Sequence, residues 1–412
     1  MRATIAELHR AEHGAILAYL IRVLGGDFAL AEDVLQEAFA AAFEQWPVSG
    51  LPPAPGAWLR RTARNKAIDR LRRRARFERP IGGLEPEPTT HQLEQDAFDQ
   101  DETGDDQLRL IFTCCNPALS LEAQVALTLH TLCGLTTDEI ARAFLIDPVA
   151  MAQRLVRAKN KIKVARIPYR VPDRAELPER LHAVLAVVYL VFSEGYAATR
   201  GDALVRQDLT KQAIHIGSLI ERLLPEASEP KALLALMLLH EARRLARTDE
   251  HGDLVLLEDQ DRSLWDRELI ALGIARVKDA LRMGGATSYG IQAAIAALHA
   301  EAPSSAQTDW KQIDLLYHEL LKLDEAPIVH LNHAAAVAML KGPEAGLALL
   351  TRLTPELGQY HLFHAARADL LRRASRRSEA LAAYEAALKL VQNEPERRYL
   401  QRRVAELQGR AD

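Results

Sequence analysis

The segment AWLRRTARNKAIDRLRRRAR, residues 57–76, combines the periodicity of a helix with a high density of positive charge. Its apolar residues recur every four positions and predict one packed helix face: Leu59, Ala63, Ala67, Leu71 and Ala75. Nine lysines and arginines accompany a single acid, Asp69. The whole chain carries a formal net charge of −4. Such a basic segment therefore indicates either a solvated helix face or a polyanionic partner.

The composition predicts a soluble, helical protein of several domains. The chain has 412 residues, of which 48% are hydrophobic, 26% charged and 5% aromatic. The longest apolar run, residues 183–192, is too short to span a bilayer, and the N-terminus lacks the pattern of a signal peptide. We therefore expect a cytoplasmic location and no membrane partner. Cys114, Cys115 and Cys133 have no C-x-x-C spacing, so we expect buried thiols.

A second basic helix follows within TTDEIARAFLIDPVAMAQRLVRAKNKIKVAR, residues 136–166. Thr136 or Thr137 is expected to cap a helix that ends near Phe144, and Pro148 suits the first turn of the next helix. That next helix contains six basic residues, and residues 148–166 contain no acid. Two helices joined by a short turn, the second of them basic, indicate a helix-turn-helix.

The segments before and between the basic helices have different compositions. Residues 5–24 and 28–46 are predicted to be helices separated by a glycine pair, with Asp27 as an N-cap and Pro47 as the end of the second. Residues 81–106 contain nine acids and no lysine or arginine. This composition predicts a flexible acidic linker.

The chain beyond residue 178 is predicted to be helical throughout. HAAAVAML (333–340) resembles HAARADLL (364–371), and a period in the low thirties suggests tetratricopeptide-like helix pairs. Ala380, Tyr384 and Ala387 have the spacing of the second helix of that repeat. The tryptophan and glycine expected earlier in the repeat are missing, so a plain helical bundle is the alternative.

These patterns predict an all-α protein with two small helical domains, a flexible acidic linker and a large helical extension. The predicted boundaries divide the chain into six parts: 1–80, the acidic linker 81–106, the helix-turn-helix domain 107–168, a second linker 169–178, the helical extension 179–300 and the tetratricopeptide-like repeats 301–410.

Several segments resemble the extracytoplasmic-function (ECF) sigma factors of bacteria. LAEDVLQEAFAAAF (30–43) is similar to the helix with which those proteins bind the clamp coiled coil of core RNA polymerase. WLRRTARNKAIDRLRRR (58–74) resembles their promoter-melting and −10 helix, and residues 107–166 resemble their fourth region, which reads the −35 element. The layout resembles the subgroup with a tetratricopeptide-like extension that takes part in control. This resemblance implies binding to core RNA polymerase and promoter DNA, and duplex opening.

The resemblance also implies three sets of contact residues. The polymerase contacts would be Asp33, Gln36 and Glu37. The −10 contacts would be Trp58, Arg60, Arg61, Arg64, Asn65, Asp69 and Arg72, with Trp58 beside an unpaired base unless it belongs to the core. The −35 contacts would be Gln153, Arg154, Arg157 and Lys161. Glutamine and arginine suit adenine and guanine in the major groove, whereas Lys161 is expected at phosphate.

Two other classes of protein fit parts of the sequence. One is a helix-turn-helix regulator with a peptide-binding repeat, which would not need the polymerase-binding helix. The other is an enzyme that uses His240, Glu241 and the acidic loop 246–266, but no catalytic motif supports it. We expect no catalytic residues, cofactor or metal. Asp259, Asp261 and Asp266 are interpreted as a docking or loop-ordering segment, and a protein or peptide regulator is a possible partner of the extension.

Overall fold

The computed structural model describes residues 2–77, 100–144, 146–284 and 286–409. The chain forms two compact units, Met1–Leu190 and Val191–Asp412. Within the described ranges it contains 19 α-helices and no strand beyond isolated bridges such as Gly201 to Asn393. The predicted all-α fold class is confirmed. Among the described helices, none is long and apolar enough to cross a membrane.

The N-terminal subdomain consists of three helices: α1 (Arg2–Val23), α2 (Phe28–Ser49) and α3 (Pro55–Phe77). Asp27 caps α2 as predicted, because its Oδ1 accepts a hydrogen bond from the Leu30 amide. The predicted end of α2 before Pro47 is wrong, since the helix continues through Pro47. A proline so close to the end of a helix removes few backbone bonds, and the Gly50 amide still donates to the Trp46 carbonyl.

The helix-turn-helix subdomain consists of four helices: α4 (Gln100–Cys114), α5 (Leu121–Cys133), α6 (Thr137–Ala143) and α7 (Pro148–Val164). Thr136 forms a capping box with Glu139 at the start of α6. Asp147 caps α7, and Pro148 occupies the first turn. These caps confirm the predicted helix-turn-helix. Leu145, the turn position where many such motifs have glycine, lies outside the described residues.

The helix α4 begins inside the segment predicted as the acidic linker. Asp106 is only 1% exposed, and its carboxylate accepts hydrogen bonds from Arg22 of α1 and Arg109 of α4. This acid therefore has partners in the packed structure, which composition alone does not reveal. Residues 81–99, the rest of the predicted linker, lie outside the described residues.

The two subdomains of the first unit pack directly against each other. A methyl group at Gly14 of α1 would stand 2.5 Å from the carbonyl oxygen of Leu132 in α5, so only glycine permits this approach. The hydroxyl of Tyr169 lies 2.8 Å from the Ala18 carbonyl oxygen and 3.2 Å from that of Asp106. Tyr169, which was predicted to belong to a linker, thus anchors the chain to both subdomains.

The three cysteines are buried in the first unit, as predicted. Burial raises the pKa of the Cys115 thiol to about 11 and that of Cys133 to about 12. The pKa of Cys114 is raised for the same reason. The thiols are therefore protonated and act as small apolar side chains of the core.

The helix α8 (Leu177–Tyr196) runs from the first unit into the second, and eleven helices follow. They are α9 (Gln207–Leu223), α10 (Ser228–Glu241), α11 (Arg267–Arg282), α12 (Ser288–Glu301), α13 (Trp310–Leu320), α14 (Pro327–Lys341), α15 (Pro343–Thr351), α16 (Thr354–Leu357), α17 (His361–Arg373), α18 (Arg377–Leu390) and α19 (Glu394–Gln408). Consecutive helices such as α17 and α18 pack as hairpins. Ala380, Tyr384 and Ala387 are fully buried, as the tetratricopeptide-like pattern predicts.

We expect Gly14→Ala to destabilise the packing of α1 on α5 by about 1–3 kcal/mol, because the added methyl meets backbone that cannot move away. Hydrogen exchange of α1 and α5 measures this loss. Gly56→Ala is a matched control, since its methyl would meet only the end of the Glu12 side chain. Equal protection of α5 in the two variants would contradict the predicted close approach.

Candidate polymerase and nucleic-acid interfaces

The outward face of α2 is a continuous stripe opposite the buried face of the helix. Its exposed members recur at helical spacing: Asp33, Gln36, Ala40, Phe43 and Glu44. Leu35, Phe39 and Trp46 lie buried on the other side. Phe43 is 47% exposed. The sequence analysis missed Phe43 because an aromatic residue within an apolar helix is normally assigned to the core. Aromatic residues are enriched at protein-binding surfaces, so Phe43 is a candidate contact beside the predicted residues Asp33 and Gln36.

Glu37, the third predicted polymerase contact, has partners within the subdomain. Its carboxylate pairs with Arg70 and lies 3.5 Å from the Nζ of Lys66, both on α3. The hydrogen bond from Arg70 is the main reason that the pKa of Glu37 lies below its usual value. Glu37 therefore neutralises part of the charge of α3, whereas Asp33 and Gln36 face solvent.

The basic helix α3 presents a polar face to solvent. Four of the predicted −10 residues are exposed and share this face: Arg61, Asn65, Asp69 and Arg72. Arg60 and Arg64 are half-buried at its edge. The Nε of Arg60 lies 3.2 Å from the Oε2 of Glu12 on α1. The structure thus separates arginines that stabilise the subdomain from arginines that face outward.

The position of Trp58 fits both interpretations that the sequence leaves open, a core residue and a residue beside an unpaired base. Its side chain is half-buried, and its ring packs edge-on against the buried ring of Trp46, with centroids 5.3 Å apart. This contact fixes one side of the Trp58 ring and leaves part of the side chain exposed at the start of α3. A fixed aromatic ring at such a position is suited to stacking with an unpaired base.

The helix α7 buries one face through Met151, Leu155, Ala158 and Ile162. The opposite face is exposed and contains Val149, Gln153, Val156, Arg157 and Asn160. Of these five residues, Gln153 and Arg157 have the side chains best suited to contact base edges. The Nη2 of Arg157 donates to the Oε1 of Gln153 over 3.1 Å, so the two side chains are held together. Sequence reasoning missed the two exposed valines, which suit contacts with thymine methyl groups.

Arg154 and Lys161, the other two predicted −35 contacts, lie outside the centre of this face. Arg154 is half-buried beside α5, where its charge acts on Glu122. Lys161 is exposed toward the end of α7. The structure therefore favours Gln153 and Arg157 over Arg154 as the residues that point away from the subdomain.

One ion-pair cluster joins α7 to the helix that carries the predicted polymerase contacts. The Nζ of Lys159 lies 2.5 Å from Oε1 of Glu32, and His130 of α5 lies 3.5 Å from the same oxygen. Burial acts to raise the pKa of Glu32, but the hydrogen bonds and positive charge of His130 and Lys159 have the larger effect. The pKa of Glu32 therefore lies below its usual value. No local pattern of residues predicts this cluster, since Glu32 and Lys159 are 127 positions apart.

A buried histidine lies in the same packing between the subdomains. Burial, assisted by the neighbouring His9 and His130, lowers the pKa of His13 to about 3. Its ring lies against Gly134, where a methyl group would stand 2.9 Å from the ring. His13 is therefore neutral and acts as part of the apolar contact.

The residues considered for catalysis in the extension have structural partners. Burial lowers the pKa of His240 well below its usual value, and its Nδ1 lies 3.1 Å from Arg243. Glu241 pairs with Arg244. Asp261 and Asp266 accept hydrogen bonds from backbone amides at helix starts. These contacts account for the loop acids as caps, in agreement with a loop-ordering role.

A basic helix-turn-helix, together with a second basic helix in the neighbouring subdomain, is typical of a DNA-binding transcription factor. Residues 8–77 match the family Sigma-70 region 2, and residues 109–162 match Sigma-70 region 4. Residues 180–281 match a family of unknown function, DUF6596.

Two relatives extend this assignment. ECF RNA polymerase sigma factor SigL of Mycobacterium tuberculosis is 34% identical over 155 residues, which are 37% of this chain and 84% of SigL. Uncharacterized protein R00370 of Rhizobium meliloti is 42% identical over 400 residues, covering 96% of this chain and 92% of that protein. The chain belongs to the ECF RNA polymerase sigma factors, as the sequence resemblance predicted.

Among solved structures, yeast Tom70 aligns with 95% of this chain and 82% of its own, at 13% identity and a TM-score of 0.38. A score this low does not define a common fold. The assignment of the family rests on the sigma regions and on SigL.

Proposed function

We propose that this sigma factor binds core RNA polymerase in the cytoplasm through the outward face of α2, and reads promoter DNA with α3 and α7. The observation that carries the proposal is the arrangement of these helices. Each buries an apolar face and presents on the opposite face part of the residues predicted for partner contact: Asp33 and Gln36 on α2, Arg61, Asn65, Asp69 and Arg72 on α3, and Gln153 and Arg157 on α7. In this proposal α3 contacts the −10 element and promotes duplex opening, α7 contacts the −35 element, and the protein has no catalytic role of its own.

We expect Asp33→Arg to weaken binding to core polymerase by about tenfold or more, because it places a cation against a basic surface. The side chain is exposed, so the fold should be retained. Co-purification with core polymerase, followed by promoter-directed transcription in vitro, measures both steps. Glu325→Arg, which changes the charge equally at an exposed position in the extension, is the control. Normal core binding by a folded Asp33→Arg protein would refute the proposed surface.

Base readout is tested by a second set of substitutions. Arg157→Ala is expected to cost about 1–3 kcal/mol and to relax the preference at one −35 position. Lys161→Ala should weaken all promoters alike and lower the salt slope by about one, as for a phosphate contact. Arg154→Ala compares the half-buried arginine with the exposed one. If Arg154→Ala changes promoter choice and Arg157→Ala does not, the proposed outward face of α7 is wrong.

The packing of the two subdomains is best understood as a closed state of the free protein. The −10 and −35 elements are separated by roughly 25 base pairs, or about 85 Å of duplex. Direct contacts such as Lys159 with Glu32 hold α7 beside α2. Simultaneous contact with both elements therefore requires the subdomains to separate. Polymerase binding to the neighbouring face of α2 would favour that separation by competing for this region.

We also propose that the extension regulates activity, through a protein or peptide bound to its helical hairpins. A chain that ends at Leu190 keeps the first unit and removes the second. We expect this shorter chain to retain binding to core polymerase. Its promoter-directed transcription should differ from that of the full chain by about fivefold or more, which corresponds to the lower end of typical coupling free energies. Equal transcription from the two chains would contradict a regulatory role under those conditions.

A further inference from the structure

Two neighbouring helices of the extension bring one carboxylate and two imidazoles together. Asp314 and His318 lie one turn apart on α13, and His333 lies on α14. One carboxylate oxygen of Asp314 and one ring nitrogen of each histidine all lie within 4.8 Å of one another. The cluster lies beyond residues 180–281, the segment that matches DUF6596, and outside the surfaces proposed above for contact with polymerase and DNA.

The helices that carry the cluster are fixed by an apolar core. Ile313 and Leu320 of α13 pack in one buried group with Val329 and Ala336 of α14. The backbone positions of the three polar residues are therefore set by packing that does not depend on them. The side chain of His318 is 56% exposed. An ion from solvent can reach the cluster on this side.

The buried carboxylate of Asp314 is held by the side chains of a histidine and a partly exposed lysine. His333 lies 2.8 Å from Oδ1, whereas the Nζ of Lys341 lies 3.4 Å from Oδ2 on a side chain that is 55% exposed. A solvated lysine stabilises a buried carboxylate less than a bound cation would.

We propose that Asp314, His318 and His333 bind one divalent cation of the zinc class. Two imidazole nitrogens and one carboxylate oxygen suit Zn²⁺ and its first-row neighbours, whereas Mg²⁺ and Ca²⁺ prefer oxygen ligands alone. Three protein ligands leave a fourth position for water or for a donor from another molecule.

The required adjustment of the side chains is small. Ligands at about 2.0–2.1 Å from a tetrahedral metal stand about 3.3 Å from one another. Asp314 and His333 would separate slightly, and His318 would turn inward. The Nδ1 of His318 lies 2.7 Å from the Asp314 carbonyl oxygen, and its exposed ring can turn to present either nitrogen. The bound cation would link α13 to α14 within the extension.

Titration of the metal-free, tag-free full chain with Co²⁺ tests the proposal. We expect one equivalent to produce visible d–d absorption without a thiolate charge-transfer band, and Zn²⁺ to displace it. His318→Ala should weaken binding at least tenfold while leaving the helical circular dichroism unchanged. His330→Ala is the control, because His330 shares α14 with His333 but lies outside the cluster.

The substitution Lys341→Gln tests whether the cluster is a metal site or only a network of ion pairs. Removing the competing positive charge should tighten Co²⁺ binding if the carboxylate ligates the cation, by about threefold to tenfold for a partly screened charge. In a simple Asp–His–Lys network the same substitution gives no metal affinity. The proposal is overturned if no 1:1 Co²⁺ spectrum develops, or if His318→Ala and His330→Ala bind Co²⁺ as tightly as the parent protein.

Discussion

The first unit depends on buried carboxylates that pair with cations, including cations on other helices. Asp106 is almost completely buried and is bound by Arg22 and Arg109. Glu32, also largely buried, is bound by Lys159. Removing either cation would leave a charge in a poorly solvated place, which is strongly unfavourable. These pairs therefore help to specify how the N-terminal and helix-turn-helix subdomains meet, beyond the apolar contact around Gly14.

The same requirement explains the basic segment at residues 57–76. Some of its cations are matched by acids of the neighbouring helices, as in Arg60 with Glu12 and Arg70 with Glu37. Arg61 instead faces solvent. Repulsion among the positive charges is thus reduced where acids face α3, while positive charge remains on the solvent-facing side.

The features that could be predicted from the sequence are those with local causes. Asp27, Thr136 and Asp147 cap helices through amides two or three residues away, so a short window of sequence contains both partners. The pairing of Asp106 with Arg22 and of Glu32 with Lys159 was missed because the partners lie 84 and 127 positions apart. The candidate surfaces follow the same rule. Helical periodicity predicts an outward face, but not that Glu37 is paired or that Phe43 is exposed.

The acids of the extension show why spacing alone misassigns ligands. Asp261 and Asp266 lie close together in sequence and suggest a metal loop, yet each caps its own helix. Asp314 attracts no attention in the sequence because His333 belongs to a different helix. Asp314 differs from these caps because its carboxylate is held by the side chains of His333 and Lys341 rather than by backbone amides. The proposed metal site therefore follows from side chains that the fold brings together from two helices, and not from the local density of acids.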